Sequence, residues 1–450
     1  MSRASVNLKD LGADQLRLIH RAGDFLDARA EHGVDVALDP ECYLNSWARC
    51  PGNARLRKMA FGWREEPKRL ISRAKDALEQ FRLAGFEVAG CDRPQAGFGT
   101  LLVSWARGGD FDRLGVYRDR YIRLAPKDTP RTLWFLISLD GVLPDQLPDN
   151  VRVLHRPPHA RKVGLRNSTG PFASPARARR SLSGTVAYAE MVASAVETEL
   201  RRGRFQQVLM PYEAQPFQHA INLTVKALDG GIGTIGYLHS VLPALPTDLM
   251  YRSGAPDRLL VHGEGQREIL VRHLGWPEGR VRVIPSLRYR LEDAEFLDGQ
   301  ILLPYTFENG SLILRAFENY LRAAPMASMP RWKVRNHPMM VKSGRHSALA
   351  SRLEALCQKY SNRMSTDPAA YGQSVSIGPT AAVIEALERG LAVVHVCANP
   401  LFETQTSELW SYLDVEALGR HLYRYRLIER GRYIVLGRAD EPAAEHLGIA

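Results

Sequence analysis

The chain has 450 residues, 45% hydrophobic and 24% charged, the balance of an ordinary globular protein with room for two or three domains. No uninterrupted apolar run reaches the roughly 18 residues of a spanning helix, and the opening MSRASVNLKDLG lacks the apolar centre of a secretory leader. Against 49 Asp and Glu stand 60 Lys and Arg, a formal charge of +11 that points to an anionic partner.

Five cysteines (Cys42, Cys50, Cys91, Cys357, Cys397) are odd in number, widely spaced and without CxxC pairing, so a reduced, cytoplasmic setting is expected. The excess charge is concentrated. Between Val151 and Met191 the only acidic residue is Glu190, while Arg152, Arg156, Arg161, Lys162, Arg166, Arg177, Arg179 and Arg180 all fall there. Prolines and glycines punctuate the stretch, which reads as a loop. A solvated loop is the plain expectation. A peripheral contact of 151–180 with an anionic inner-membrane surface is the functional one. No aromatic interleaving accompanies the charge, so no nucleic acid is expected.

In chain order, residues 1–95 read as a helical extension. Leu16, Ile19, Ala22 and Leu26, then Leu70, Ile71, Ala74, Ala77, Leu78 and Phe81, recur at helical spacing and predict faces that pack on the main body. From Gly97 the texture alternates. GTLLVSWA (99–106), TLWFLISL (132–139) and VRVL (151–154) read as strands, 185–202 as a helix. Within Gln206–Ser240 lie two strands around an amphipathic helix, and DRLLVHG (257–263) and RVRVIPS (280–286) add two more around a helix at 264–274. The acidic RLEDAEFLDG (290–299) marks a boundary, after which the alternation restarts: strands at 300–306, 332–338, 373–380 and 391–396, helices at 310–323, 348–359 and 381–389. Short turns between alternating elements predict parallel, doubly wound sheets. The expected fold is therefore α/β, two Rossmann-like units (96–298 and 299–450) behind a helical extension.

Ligands of such sheets bind outside the carboxyl ends of strands, so chemistry is sought there. Tyr212 and Glu213 end one strand; His239 and Ser240 end another. A partly desolvated carboxylate at Glu213 and an imidazole at His239 compete for the role of base, with Asp140–Gly141 third. In the second unit His337–Pro338 ends a strand, and Ser374, Ser376 and Thr380 surround Gly378–Pro379 before a helix. Free N–H groups and hydroxyls there suit a phosphate, though simple capping explains them as well. Glu385 lies in position to accept from ribose hydroxyls or to be a solvated helix residue. Asn309–Gly310 opens either a close backbone approach or a plain turn. No P-loop, HExxH or GxSxG is present, and no carboxylate pair requires a metal.

The segments PYEAQPFQHA, IGYLHSVLP, PDRLLVHGEGQREIL and VRVIPSLRY, with SWARGGDFDRLGVYRDRYI (104–122), resemble bacterial GT-B glycosyltransferase-like proteins of surface-carbohydrate biosynthesis. The HP pair at 337–338 and the hydroxyl cluster at 374–380 are similar to donor motifs of bacterial sialyltransferases and related CMP-sugar enzymes. The resemblance covers roughly 99–400. It implies a two-lobed GT-B transferase with a nucleotide-sugar (CMP-sugar favoured) as substrate, no cofactor and no metal, and a surface-glycan or lipid-linked acceptor. On that resemblance His337, Pro338, Ser374, Ser376 and Thr380 would hold the donor phosphate, and Glu385, Asn309 and Gly310 are added to the donor site by their positions in the second unit. Leu139–Asp140–Gly141 has one carboxylate where the sialyltransferase acidic–acidic–Gly motif has two. A CDP-polyol phosphotransferase and an inert glycan-binding scaffold are the alternatives.

Overall fold

The computed structural model describes residues 8–44, 51–62, 66–79, 83, 85–90, 97–113, 115–157, 183–228, 231–292, 297–367, 371–404 and 412–449. Three helices come first: α1 (Leu8–Glu31), α2 (Pro51–Phe61) and α3 (Glu66–Glu79). Then follow β1 (Glu87–Gly90), β2 (Thr100–Ala106), β3 (Thr132–Ser138), β4 (Val151–His155) and α4 (Gly184–Arg202). β5 (Gln207–Pro211), α5 (Pro216–Ala227), β6 (Gly233–Tyr237), β7 (Arg258–Val261), α6 (Glu264–His273) and β8 (Val281–Val283) complete the first sheet. A connecting strand, β9 (Ser286–Arg290), leads to β10 (Gln300–Leu302), α7 (Gly310–Ala323), β11 (Met329–Pro330), β12 (Lys333–Arg335) and α8 (Gly344–Lys359). β13 (Met364–Ser365), β14 (Gln373–Ile377), α9 (Ala382–Glu388), β15 (Ala392–Val396), α10 (Pro400–Glu403), β16 (Leu413–Gly419) and β17 (Leu422–Leu427) come next. β18 (Leu436–Gly437) and α11 (Ala443–Leu447) end the chain.

The first sheet has eight strands in the order β1-β4-β3-β2-β5-β6-β7-β8, parallel except for β1. The second has six, β12-β10-β14-β15-β17-β16, with the first four parallel and β17 and β16 antiparallel. TLLVSWA and TLWFLIS are buried at every residue, because helices cover both faces of a parallel sheet and no face needs polar residues. In each sheet the winding reverses once, between β2 and β5 and between β10 and β14. Those reversals leave a crevice at the carboxyl ends.

One apolar core runs through the molecule. It joins Leu18, Ile19 and Ala22 of α1 to Val103 and Phe135 of the first sheet and to Val393 and Tyr423 of the second. The chain also crosses back. β18 pairs with β9, Leu447 and Ile449 pack with Leu102 and Trp134 of the first sheet, and the Gln207 amide donates to the Gly448 carbonyl at 2.7 Å. Strands at the second sheet are shorter than the apolar runs that announce them: the run at 300–306 pairs only over 300–302, and that at 332–338 only over 333–335.

The N-terminal extension docks through a buried polar clamp. His219 on α5 is fully buried between two phenols, with Nδ1 2.9 Å from Tyr43 Oη and Nε2 2.9 Å from Tyr212 Oη. Tyr43 gives its own proton to the Ala37 carbonyl, so Nδ1–H donates to Tyr43 while Nε2 accepts from Tyr212. Burial, then the charge of Arg252, holds this imidazole well below its ordinary pKa, and it stays neutral. Tyr212 is thereby a structural group, its hydroxyl spent on His219 and its pKa raised by burial. Arg252 adds bonds to the carbonyls of Val36 (3.0 Å), Cys42 (3.1 Å) and Asp248 (2.6 Å).

α3 overturns the packing expected from its periodicity. Leu70, Ile71 and Leu78 are 57%, 55% and 62% exposed. Polar side chains do the docking instead: Arg73 pairs with buried Glu41, and Asp76 accepts from Ser183 Oγ at 2.6 Å and Thr185 N at 3.0 Å. Of the basic stretch, Arg152 is buried in β4 at 3.8 Å from Glu199 and faces no surface; Arg161 to Arg180 lie outside the described residues. Replacing His219 by Leu leaves the buried Tyr212 hydroxyl without an acceptor and Tyr43 with its Ala37 bond alone, and a loss of about 1–3 kcal/mol in denaturant unfolding is expected. An unchanged midpoint and slope would remove the clamp from the list of stabilising contacts.

Candidate functional site

Both winding reversals open on one cleft of about 1570 Å³. Glu213, Leu238 and Ser240 line it from the first sheet, and Tyr305, Thr306, His337, Pro379, Thr380 and Glu385 from the second. The extension supplies a third wall through Tyr43, Asn53, Arg57, Ser72, Lys75 and Asp76.

Glu213 sits on the turn between β5 and α5, beside the first reversal. Its neighbour Ala214 is buried with φ +54°, a conformation that costs a non-glycine residue and needs support around it. Gln218 supplies the support. Its Oε1 accepts from the N–H of Glu213 and of Gln215, each at 3.0 Å, and its Nε2 donates to the Pro211 carbonyl at 2.5 Å. Pro216 at the first helical turn fixes the exit. The Glu213 side chain, 38% exposed, lies deep in the cleft yet open to what enters it.

His239 lies behind it. The imidazole is 1% exposed, with Nε2 3.1 Å from Glu213 Oε1. Tyr121 stands edge-on to the ring at 4.3 Å between centroids, and Trp105 at 5.9 Å. Nδ1 is buried without a hydrogen-bond partner. An orphaned acceptor costs less than an orphaned donor, so Nε2 carries the proton and gives it to Glu213. Burial alone would raise the Glu213 pKa; the hydrogen bond from His239, the Gln215 amide at 2.7 Å and the Arg288 charge outweigh it and hold the carboxyl below its usual range. The two candidate bases are thus a dyad, with the carboxylate toward the cleft and the imidazole sealed off from it.

Tyr121 is held there by a buried carboxylate. Asp119 accepts from Tyr117 Oη (2.8 Å) and from the N–H groups of Tyr121 (2.7 Å) and Ile122 (2.8 Å), and also from Ser104. Asp140, the third base candidate, accepts from Gly108 N at 3.0 Å and Val142 N at 3.2 Å, a turn-holding role away from the cleft lining.

Arg288 on β9, between the sheets, was not singled out by sequence. Its guanidinium lines the cleft, lies 5.3 Å from the Tyr289 ring centre and 6.0 Å from that of Tyr121, and among the described residues has no carboxylate or side-chain hydrogen-bond partner. Its charge is felt by Glu213, Glu385 and His337, groups of both sheets. His337 packs edge-on against Tyr305 at 5.5 Å; burial first, then Arg288 and His346, lowers its pKa. Pro338 starts a short 3-10 turn beyond it.

The hydroxyl cluster divides. Thr380 lines the cleft and accepts from Ala382 N at 3.2 Å. Ser374 and Ser376 are fully buried inside β14, their hydroxyls without partners, and neither lines the cleft. Both serines fall on one face of β14, and that face is buried as fully as the opposite one, which carries Val375 and Ile377. Asn309 caps α7, accepting from Leu312 N at 3.0 Å, and neither it nor Gly310 lines the cleft. Glu385 lines it while pairing with Arg389 at 3.0 Å.

Glu403 was also not singled out. It is 5% exposed, lines the cleft, and accepts from Ala398 N at 2.7 Å. Burial raises its pKa from 4.5 to about 7, against the pull of backbone N–H groups. Among the described residues no group of three or more His, Cys, Asp or Glu could hold a metal ion, and no helix is long and apolar enough to cross a membrane.

No protein-family model matches the chain, and no curated protein sequence matches it. Among solved structures, a glycosyltransferase from Rickettsia africae ESF-5 overlaps at TM-score 0.31 and 11% identity, over 66% of this chain and 78% of that one. An overlap at that level says nothing about activity.

The folded chain keeps a proton on Glu403 that the unfolded chain releases between about pH 4.5 and about pH 7. Stability therefore falls as pH rises through that window. Glu403→Gln is expected to flatten the decline and, above about pH 7, to be more stable by up to about 3 kcal/mol. Parallel unfolding curves for the two proteins across that range would contradict it.

Proposed function

We propose that the protein is a GT-B glycosyltransferase that moves a sugar from a nucleotide-activated donor, a CMP-sugar by preference, to a hydroxyl of a surface-glycan or lipid-linked acceptor. The reading includes the two lobes, 96–298 and 299–450, with the extension 1–95, and a cytoplasmic protein peripheral to the inner membrane. One observation carries it: across a single cleft, a carboxylate backed by histidine faces an uncommitted guanidinium and an imidazole. Acceptor activation needs the first, and a departing phosphate needs the second.

In this mechanism Glu213 takes the proton of the acceptor hydroxyl as its oxygen bonds to the anomeric carbon. The bond from that carbon to the donor phosphate breaks, and the phosphate leaves with the electron pair. Arg288, His337 and the Thr380 hydroxyl receive the charge. His239 does not touch substrate. Its Nε2–H fixes the orientation of the carboxylate, and Tyr121 and Trp105 fix the ring, so it is a positioning residue. A protonated, neutral Glu403 and the Glu385 carboxylate offer hydrogen bonds to donor hydroxyls without adding charge repulsion at the first of them. His337 gains a proton more readily once an anion stands beside it.

CMP, CDP, UDP and GDP are the probes. At least one is expected to raise the melting temperature, since a ligand of the native state alone stabilises it. Arg288→Ala should weaken that nucleotide by about tenfold or more, as loss of a charge-assisted contact does. No shift with any of the four, or full affinity in Arg288→Ala, sinks the donor half.

For the acceptor half, Glu213→Gln should lower kcat by roughly 10²–10⁴ with nucleotide affinity intact. His239→Phe should lower kcat less and alter its pH profile. A Glu213→Gln protein with full turnover would rule out the carboxylate as base.

A further inference from the structure

The geometry points to α3 as a membrane-docking helix, whose solvent-facing side lies on an anionic lipid surface beside the mouth of the cleft. The docking stands on α3 alone and does not require the transfer reaction.

The helix is inverted relative to an ordinary surface helix. Pro67, Leu70, Ile71, Ala74 and Leu78 share one side by helical spacing, and all five are exposed. No polar residue interrupts that side. Two polar residues point the other way, into the protein: Arg73 toward Glu41, and Asp76 toward Ser183 and Thr185. The carboxylates in these inward bonds are buried. Glu41 is 4% exposed and accepts from Arg55 as well, at 3.0 and 3.1 Å, and Asp76 is 7% exposed. The helix is thereby pinned with its apolar side outward, and rolling that side inward would turn Arg73 and Asp76 to solvent and take these bonds from Glu41, Ser183 and Thr185. Keeping three large aliphatic side chains in water is unfavourable, which marks the face as one that something covers.

Charge decides in favour of lipid as the occupant. Lys75 is exposed at the border of the apolar side and among the described residues has no partner. Ser183, bonded to Asp76 of this helix, follows directly on a stretch that carries Arg177, Arg179 and Arg180 and no acidic residue. An apolar helical side with a basic border is the pattern of an interfacial helix, bound by apolar burial together with attraction to anionic headgroups. A protein partner would find no acidic or hydrogen-bonding group on this side by which to be specified.

The position of the helix gives the docking a use. Ser72, Lys75, Asp76 and Glu79, on the neighbouring side of α3, line the cleft, and Leu139, 48% exposed, stands at the same wall. A protein lying on α3 holds the mouth of its cleft against the headgroup layer. Acceptors tethered to lipid are then presented at the cleft without leaving the bilayer.

The test is sedimentation of the full chain with vesicles of phosphatidylcholine alone and with about one-third phosphatidylglycerol. The unmodified chain is expected to bind the anionic vesicles, less at high salt, and to ignore the neutral ones. Leu70→Ser/Ile71→Ser/Leu78→Ser should lose about tenfold or more of that binding, at an unchanged melting temperature because the three sites are solvent-facing. Three results would overturn the inference. The unmodified chain fails to bind anionic vesicles, the triple variant binds as well as it does, or sedimentation equilibrium without lipid shows a dimer that the triple variant abolishes, making a second copy the occupant.

Discussion

Much of this molecule depends on a histidine that is never charged. His219 gives one hydrogen bond to the extension, through Tyr43, and receives one from Tyr212 at the end of β5. Protonating it would cost it the Tyr212 bond and bury a charge beside Arg252. The neutral ring therefore joins the first helices to the residue next to Glu213. One position earlier on α5, Gln218 ties the backbone of the same turn. Two consecutive polar side chains, both buried, convert a strand end into a rigid bracket for a carboxylate.

Rigidity of that kind is what the role proposed for Glu213 requires. Glu213 faces solvent on one side, where water would let a carboxylate wander among rotamers. Its bonds to His239 and Gln215 remove that freedom before any substrate arrives. The same logic explains why Asp119, far from any acceptor, is fully satisfied by four donors: it holds Tyr121 so that Tyr121 holds His239.

Strands buried on both faces were plain in the sequence, because β2 and β3 admit nothing but apolar and small residues along their whole length. Glu213, His337 and Thr380 could be found because strand ends of doubly wound sheets are few. Other features depend on which neighbour covers a face, and periodicity is blind to that. α3 shows helical spacing of Leu70, Ile71 and Leu78 whether the apolar side faces protein or solvent. Ser374 and Ser376 look like a phosphate cradle until β14 is buried on both faces. Arg288 carries no motif. Its meaning comes from lying on a connecting strand between two sheets with its charge uncommitted, and nothing in VRVIPSLRY sets it apart from Arg282. Glu403 owes its raised pKa to burial by segments distant in the chain.

The extension also reaches past the first sheet. Gln15 of α1 donates to Thr404 Oγ1 at 3.0 Å, Arg57 of α2 pairs with Glu308, and the Phe61 and Phe402 rings meet at 5.4 Å. Mechanically these contacts act as a strap across the two sheets, anchored at its near end by His219. Two lobes joined only by a linker exchange ligands by swinging apart. A strapped pair opens only by first shedding these contacts, so the strap resists any widening of the cleft.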